Sequence, residues 1–323
     1  MKKQLATLAV CFLTFGSFAK IRIVDNNVNN PGNYSSLQKA IDESVDGDTV
    51  YIKFSTIGYD AVELSKRLVM IGERNLDKNL DNVSKVKVID IKSTNANGSV
   101  FIGFNSSFYF YSANNINNIL FQRMDIPTIE SSFPSSLNNL IFINCFIRNC
   151  TNDIGINHTF YNCIGKFPLF HSIARNCVLQ HTYRFDNSQI SNSILIGYSL
   201  NYSSYCSFSN NISLYPSSNT IENSSTDNGK GLVKGVGNNG SNLNLIFSVP
   251  FYYIDFHIQA DGNGKNFGTD GTDVGIYGGL YPWPEEMTGF FPSDNTPKII
   301  DMEIKNTITN KTIDVNLKAK TVK

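Results

Sequence analysis

Between Asn118 and Leu214 one short pattern keeps returning: an asparagine that closes a turn, followed by a small or apolar strand. It is carried by Asn118-Ile119-Leu120-Phe121, Asn139-Leu140-Ile141-Phe142, Asn144-Cys145-Phe146-Ile147, Asn162-Cys163-Ile164, Asn176-Cys177-Val178-Leu179, Asn192-Ser193-Ile194-Leu195 and Asn211-Ile212-Ser213-Leu214. Apart from Asn139 and Asn144, five residues apart, successive copies lie roughly fourteen to twenty-one residues apart, about one coil of a β-solenoid, in which each coil exposes unpaired strand edges and must stack on the next. Such stacking predicts an interior filled by layered Ile, Leu and Phe, and asparagines that hydrogen-bond along the axis at tight turns. A β-sandwich of irregular strands is the competing architecture.

Composition agrees with an all-β chain. Alanine is scarce while Asn, Ser, Ile, Phe and Tyr abound, which suits short strands joined by polar turns. A solenoid core grows lengthwise, so a chain of this length fits one elongated domain. The formal net charge is zero, so no long-range field draws the protein to nucleic acid or an anionic membrane.

Residues 1–19 read as a signal peptide. Lys2 and Lys3 form the positive region, Leu5 to Phe15 an apolar stretch too short to span a bilayer, and Ser17-Phe18-Ala19 a small-x-small cleavage pattern. Cys11 follows Leu8-Ala9-Val10, but Val10 is too large for a lipoprotein box and the apolar run continues past it. The expected location is the periplasm, the cell surface or the medium. No later stretch is apolar for long enough to cross a membrane.

At the start of the mature chain, Leu37, Ala40, Ile41 and Ser44-Val45 repeat at helical spacing. Ser35 or Ser36 can cap the start, and Asp46-Gly47-Asp48 ends the helix before a strand at Thr49 to Ile52. A tyrosine, a short amphipathic helix, "DGDTVYI" and then "LVMIG" together resemble the N-terminal cap and first rungs of secreted right-handed parallel β-helix proteins of the pectate-lyase-like superfamily. The closing Asp273-Val274-Gly275-Ile276-Tyr277-Gly278-Gly279 is similar to the tail of many such proteins. The resemblance implies a right-handed parallel β-helix over residues 20–290 with a capping helix. It specifies architecture rather than activity. Residues 291–323 read as a C-terminal β-hairpin, with Ile300, Met302 and Ile304 on one face and Ile313, Val315, Leu317 and Ala319 on another, which must pack on the solenoid or on a partner.

Five cysteines follow the leader: Cys145, Cys150, Cys163, Cys177 and Cys206. Parallel stacking sets equivalent Cβ atoms about 4.8 Å apart, beyond the roughly 3.5–4.5 Å of a disulfide, so a ladder of free buried thiols is expected. His158, His171 and His181 lie near them in sequence, but no C-x-x-C or H-x-x-x-H pairing sets two zinc ligands in register.

Chemistry can be tested by residue content. The Gly-His-Gly and Arg-Ile-Lys motifs that the resemblance would imply for a galacturonan hydrolase are missing, as is the aspartate pair of a calcium-dependent pectate lyase. There remain Arg148, His158, Tyr161, His171, Arg175, His181, Tyr183 and Arg184. From these a calcium-independent lyase would neutralise a uronate with Arg and use His or Tyr as base and acid, with Arg175, His181 and Arg184 as the catalytic candidates. The plainer reading is a set of solvated side chains on a long coil. Asp261, Asn263, Asp270 and Asp273 are the possible Ca²⁺ ligands. They fail as an EF-hand, because Asn266 stands where Gly is required and Thr272 where Glu is required. Tyr198, Tyr202 and Tyr205, with Tyr215, Tyr252, Tyr253, Tyr281 and Trp283, are candidates for stacking on sugar rings. The function expected from these features is an exported β-helix protein in contact with polysaccharide. The alternatives are a lyase or glycoside hydrolase on uronate-containing glycans, and an adhesin or structural surface protein.

Overall fold

The computed structural model describes residues 19–27, 32–73, 83–111, 114–151, 154–180, 185–196, 203–213, 225–226, 232–234, 256–258, 264–283, 298–304 and 315–320. The expected signal peptide, apart from Ala19, lies outside them. The chain forms an all-β parallel solenoid. Its first sheet has eleven strands: Ile21–Val24, Thr49–Ile52, Val69–Gly72, Val100–Ile102, Leu120–Gln122, Ile141–Ile143, Thr159–Tyr161, Ile173–Arg175, Gln189–Ser191, Ser207–Ser209 and Ser225–Thr226. A second sheet of twelve strands includes Asn105–Phe110, Asp125–Ile126, Phe146–Ile147, Ile164–Gly165, Val178–Gln180, Ile194–Ile196 and Asn211–Ser213. Short pairings such as Leu169–Phe170 with Phe185–Asp186 and Ser203–Ser204 add a third side. Near the start, helix α1, Leu37–Asp42, is capped by Ser36, which accepts from Lys39 N–H, and buries Leu37, Ala40 and Ile41. The helical repeat ends there, since Val45 is exposed.

Register explains the core. The central positions of the first sheet align as Val50, Met70, Phe101, Phe121, Phe142, Phe160, Ala174, Ile190 and Phe208, all fully buried. Ring centroids of Phe121 and Phe142 lie 4.7 Å apart and those of Phe142 and Phe160 4.8 Å apart, nearly coplanar at 7° and 3°. That spacing is the separation of adjacent hydrogen-bonded strands, so flat rings stack with no adjustment of the backbone. At Ala174 the column loses its ring, and Phe167 stacks on Phe160 at 4.2 Å instead.

The recurring asparagines are conformational. Among the described residues, ten of the thirteen non-glycine residues with positive φ are Asn, the side chain that best tolerates the left-handed region. All but Asn266 fall into two columns rather than one. Arg123, Asn144, Asn162, Asn176, Asn192 and Asn210 turn the chain from the first sheet to the second; Asn118, Asn139, Asn157, His171, Asn187 and Tyr205 turn it back into the first. The last copy of the repeat therefore begins at Asn210, and Asn211 belongs to the strand after it. In the first column the asparagine amides do not form the expected axial ladder. Backbone bonds run along the axis instead, as in Asn144 N–H to Tyr161 O and Asn162 N–H to Arg175 O, both 3.0 Å.

A second axial device sits one residue past several corners of the later coils, where a polar side chain points inward and accepts the backbone N–H of the preceding coil. Leu140 N–H donates to His158 Nδ1 at 3.1 Å, His158 N–H to Ser172 Oγ at 3.0 Å, and Ser172 N–H to Ser188 Oγ at 3.0 Å. The equivalent column at the other corner is Cys145, Cys163, Cys177, Ser193 and Asn211, in which Cys177 N–H donates to Ser193 Oγ and Ser193 N–H to Asn211 Oδ1. Here the buried thiols donate to strand carbonyls, Cys145 to Phe121 O and Cys163 to Tyr161 O, each at 3.3 Å. All five cysteines are free, and burial pushes the Cys163 thiol well above its ordinary range. Cys150 and Cys206 stand in other columns.

Outside the coil, Lys298–Ile304 and Val315–Lys320 pair as an antiparallel hairpin. A bulge between Ile299 and Asp301 shifts the expected alternation, so that Ile299 pairs with Ala319, Met302 with Leu317 and Ile304 with Val315.

Two outcomes follow from the packing. Phe142→Ala should lower unfolding stability by about 3–5 kcal/mol in chemical denaturation, because a ring stacked on both sides leaves a cavity that its neighbours cannot close. His158 should make stability pH-dependent. Its Nδ1 accepts from Leu140 and its Nε2 lies 2.9 Å from Ile154 O, so the proton resides on Nε2, and burial lowers its pKa from 6.5 to about 4. The folded value lies below the unfolded one, so the unfolded chain binds the extra proton first. This contribution is complete above pH 6.5 and lost as pH falls towards 4, a change of about 3 kcal/mol. Denaturation midpoints between pH 7 and 4 should fall more steeply for the wild type than for His158→Gln, and equal slopes would refute this role.

Candidate functional site

The outer face of the first sheet changes character along the axis. Positions flanking the buried column are mostly aliphatic from Val69 to Ile143, as in Val100 with Ile102 and Ile141 with Ile143, with Gln122 the exception, and polar in the later coils, as in Gln189 with Ser191 and Ser207 with Ser209. Tyr161 and Arg175 sit at the same outward position on adjacent strands where the change occurs. The polar half borders a groove.

Residues 264–283 build the other wall. They form a strap that runs along the asparagine corners against the direction of coiling. Asn210 Nδ2 donates to Phe267 O, Asn192 Oδ1 accepts from Thr269 N–H, and Asn176 Nδ2 reaches Asp273 O. Asn162 Nδ2 donates to Ile276 O and Gly278 O, and Asn144 Nδ2 to Tyr281 O. The corner amides left unpaired along the axis thus serve the strap. Beneath it the outward residues of the second sheet, Ile164, Val178, Ile194 and Ile212, are buried together with Val274, Ile276 and Trp283 of the strap. Trp283 Nε1 donates to Asn162 O at 2.6 Å. Gly275, at φ +90°, lies so close to the sheet that a Cβ there would stand 2.7 Å from Ile194 Cδ1. The Asp-x-Gly-x-Tyr-Gly-Gly segment therefore clamps the solenoid.

Between strap and sheet lies a groove of about 360 Å³ whose floor carries Tyr161, Arg175, Gln189, Ser191, Ser207 and Ser209, with Thr269, Asp270 and Leu280 on its wall. Tyr281 extends the aromatic end, its ring 5.6 Å from that of Tyr161. The Arg175 side chain is exposed and makes no ion pair with any described residue. The arrangement offers a fixed cation, a row of hydroxyls and an amide, and an aromatic pair. These are groups for holding a polar ligand that also has an apolar face.

Only part of the expected chemistry meets here. Arg175 and Tyr161 share the groove. Arg148 lies on the second sheet, where its guanidinium makes two bonds to Asp125, at 3.0 and 2.7 Å, and stacks over Phe146. His158 is buried inside the coil with both ring nitrogens engaged, and His171 occupies a left-handed corner on the far side of its strand. His181, Tyr183 and Arg184 lie outside the described residues. Among the sugar-stacking candidates, Tyr205 is exposed at a left-handed corner and does not line the groove, Trp283 is buried, and Tyr281 joins the groove's aromatic end. Tyr198, Tyr202, Tyr215, Tyr252 and Tyr253 lie outside the described residues. The hydroxyl row of Ser191, Ser207 and Ser209 was not singled out by sequence, since serines become a comb only once the register is known.

The possible calcium ligands are engaged by protein donors. Asp270 Oδ1 accepts from Thr272 N–H and Oγ1–H, and Asp273 accepts from Asn266 N–H and forms an ion pair with Lys265 at 2.7 Å. An ammonium on the Asp273 carboxylate competes directly with a cation there. Asp261 and Asn263 lie outside the described residues. No cluster of three or more His, Cys, Asp or Glu side chains that could hold a metal occurs among the described residues, and no helix among them is long and apolar enough to cross a membrane. No family model matches the chain, and neither a curated protein nor a solved structure matches it.

Proposed function

We propose that this chain is an exported right-handed β-helix protein, of the pectate-lyase-like kind, that contacts polysaccharide through the groove between its first sheet and the strap. The observation that carries the reading is the composition of that groove: the Arg175 cation, the Ser191, Ser207 and Ser209 hydroxyls and the Tyr161 ring all border one concavity. A pyranose presents hydroxyls at its rim and C–H groups on its face, which such a surface matches, and Arg175 adds a preference for acidic sugars. Export rests on the leader at residues 1–19. The right-handed sense rests on the general handedness of parallel crossovers, and the capping role of α1 on its apolar packing against the first strands. His158 and His171 do not reach the groove, so the reading adopted is binding; turnover with Arg175 and its neighbour Tyr161 as base is the alternative that product release would reveal.

On a glycan array the mature protein should retain acidic polysaccharides, and Arg175→Ala and Tyr161→Ala should each weaken that binding at least tenfold. As surface changes they should shift unfolding stability by no more than about 0.5 kcal/mol. Absence of glycan binding, or binding indifferent to both substitutions, would remove the proposal. Release of unsaturated uronate that disappears in Arg175→Ala would replace it with the lyase.

A further inference from the structure

The aliphatic half of the first sheet's outer face is unpartnered. Val69, Ile71, Val100, Ile102, Leu120, Ile141 and Ile143 point away from the core, are partly exposed, and pack against no element among the described residues. Val69, Val100, Leu120 and Ile141 stack over neighbouring strands in one unbroken apolar row, and Ile71, Ile102 and Ile143 form a second row that Gln122 interrupts; a surface of this kind is rarely left open to water.

The reach of the chain points to what covers it. The strap travels from the coil of Asn210 to that of Asn144, where Tyr281 packs beside Tyr161 at the edge of the first sheet. Its last described residue, Trp283, is anchored one coil back, on Ile276 O and Asn162 O. Residues 284–297 then lead to the hairpin, and fourteen residues can span up to about 46–50 Å. The aliphatic stripe begins at the strand next to Tyr161, with Ile143. Covering the strands from Val69 to Ile143 requires about 14 Å along the axis, and a hairpin strand of seven residues is about 24 Å long.

The hairpin also has the right faces. Its register puts Ile299 with Ala319, Met302 with Leu317 and Ile304 with Val315 on one side, and Lys298 with Lys320, Asp301 with Lys318 and Glu303 with Asn316 on the other. The bulge preserves this separation by absorbing Ile300, because in a regular strand the three-residue step from Ile299 to Met302 would put them on opposite faces. An isolated two-stranded hairpin is marginal in water, so one with a wholly apolar face needs a surface to bury it. We infer that the C-terminal hairpin docks on the aliphatic half of the first sheet's outer face, continuing the strap and leaving only the polar half open to ligand.

Hydrogen exchange of the full chain tests this. Amides of 298–304 and 315–320 should be protected in the wild type, and both Ile141→Asp and Leu317→Asp should speed their exchange at least tenfold while the solenoid amides stay protected. Leu317→Asp leaves the coil untouched, so it decides the matter even if Ile141→Asp perturbs folding. Light scattering should find a monomer. Hairpin amides that exchange freely in the wild type, or protection unaffected by the substitutions, would overturn the inference. A dimer dissociated by Ile141→Asp would overturn it too, by showing that a second copy covers the stripe.

Discussion

A coil of parallel strands leaves its backbone N–H and C=O groups directed along the axis, where only the next coil can satisfy them. Everything else in this solenoid depends on that requirement. Because the backbone repeats at the strand separation, a side chain at one position meets its equivalent at the same separation. The Phe121, Phe142 and Phe160 rings stack because that distance is also the contact distance of flat aromatics. Where the backbone must leave a sheet, each corner needs a residue that tolerates positive φ, and asparagine supplies it repeatedly. Just past corners of the later coils, Ser172, Ser188, Ser193 and His158 accept N–H groups of the preceding coil inside an otherwise apolar interior.

The strap uses what this arrangement leaves over. Corner asparagines satisfied along the axis by their backbones keep free side-chain amides on the outside, and these hold Phe267, Asp273, Ile276 and Tyr281. Hydrogen bonding at the edge and apolar burial over Ile194 and Ile212 act together, and the glycines let the backbone approach where no Cβ fits. The groove is a by-product of that seam. Its position beside the polar half of the first sheet, with Arg175 at its floor, furnishes it with a cation, hydroxyls and an aromatic ring for a ligand.

The chemistry-bearing residues between Arg148 and Arg184 are near one another along the chain, yet the coil distributes those it describes over different surfaces. A residue's direction depends on its position within the coil, so neighbours in sequence alternate between interior, corner and outer face. His158 shows the consequence. It occupies a position that serine fills in the next two coils, and its ring is a hydrogen-bond bridge whose basicity is suppressed by burial. Arg148 is likewise committed, to Asp125 and Phe146.

The sequence alone determined the architecture, because a repeated requirement for left-handed corners and stackable interior residues leaves a repeated trace: Asn144, Asn162, Asn176 and Asn192, each followed by Cys or Ser and then an apolar strand. It also showed the hairpin and the short capped helix through local periodicity. It merged the two corner columns, because Asn139 and Asn144 look alike in sequence while turning the chain between different pairs of strands. Only the tertiary structure decided register, and with it which of Tyr161, Arg175 and Ser191 face one groove, which histidine is buried, and where the glycine-rich tail lies. Those outcomes depend on contacts between residues up to a hundred or more positions apart, such as Asn144 with Tyr281 and Asn162 with Trp283. Local propensity cannot encode such contacts, because they exist only once the coils have stacked and offered the strap a surface.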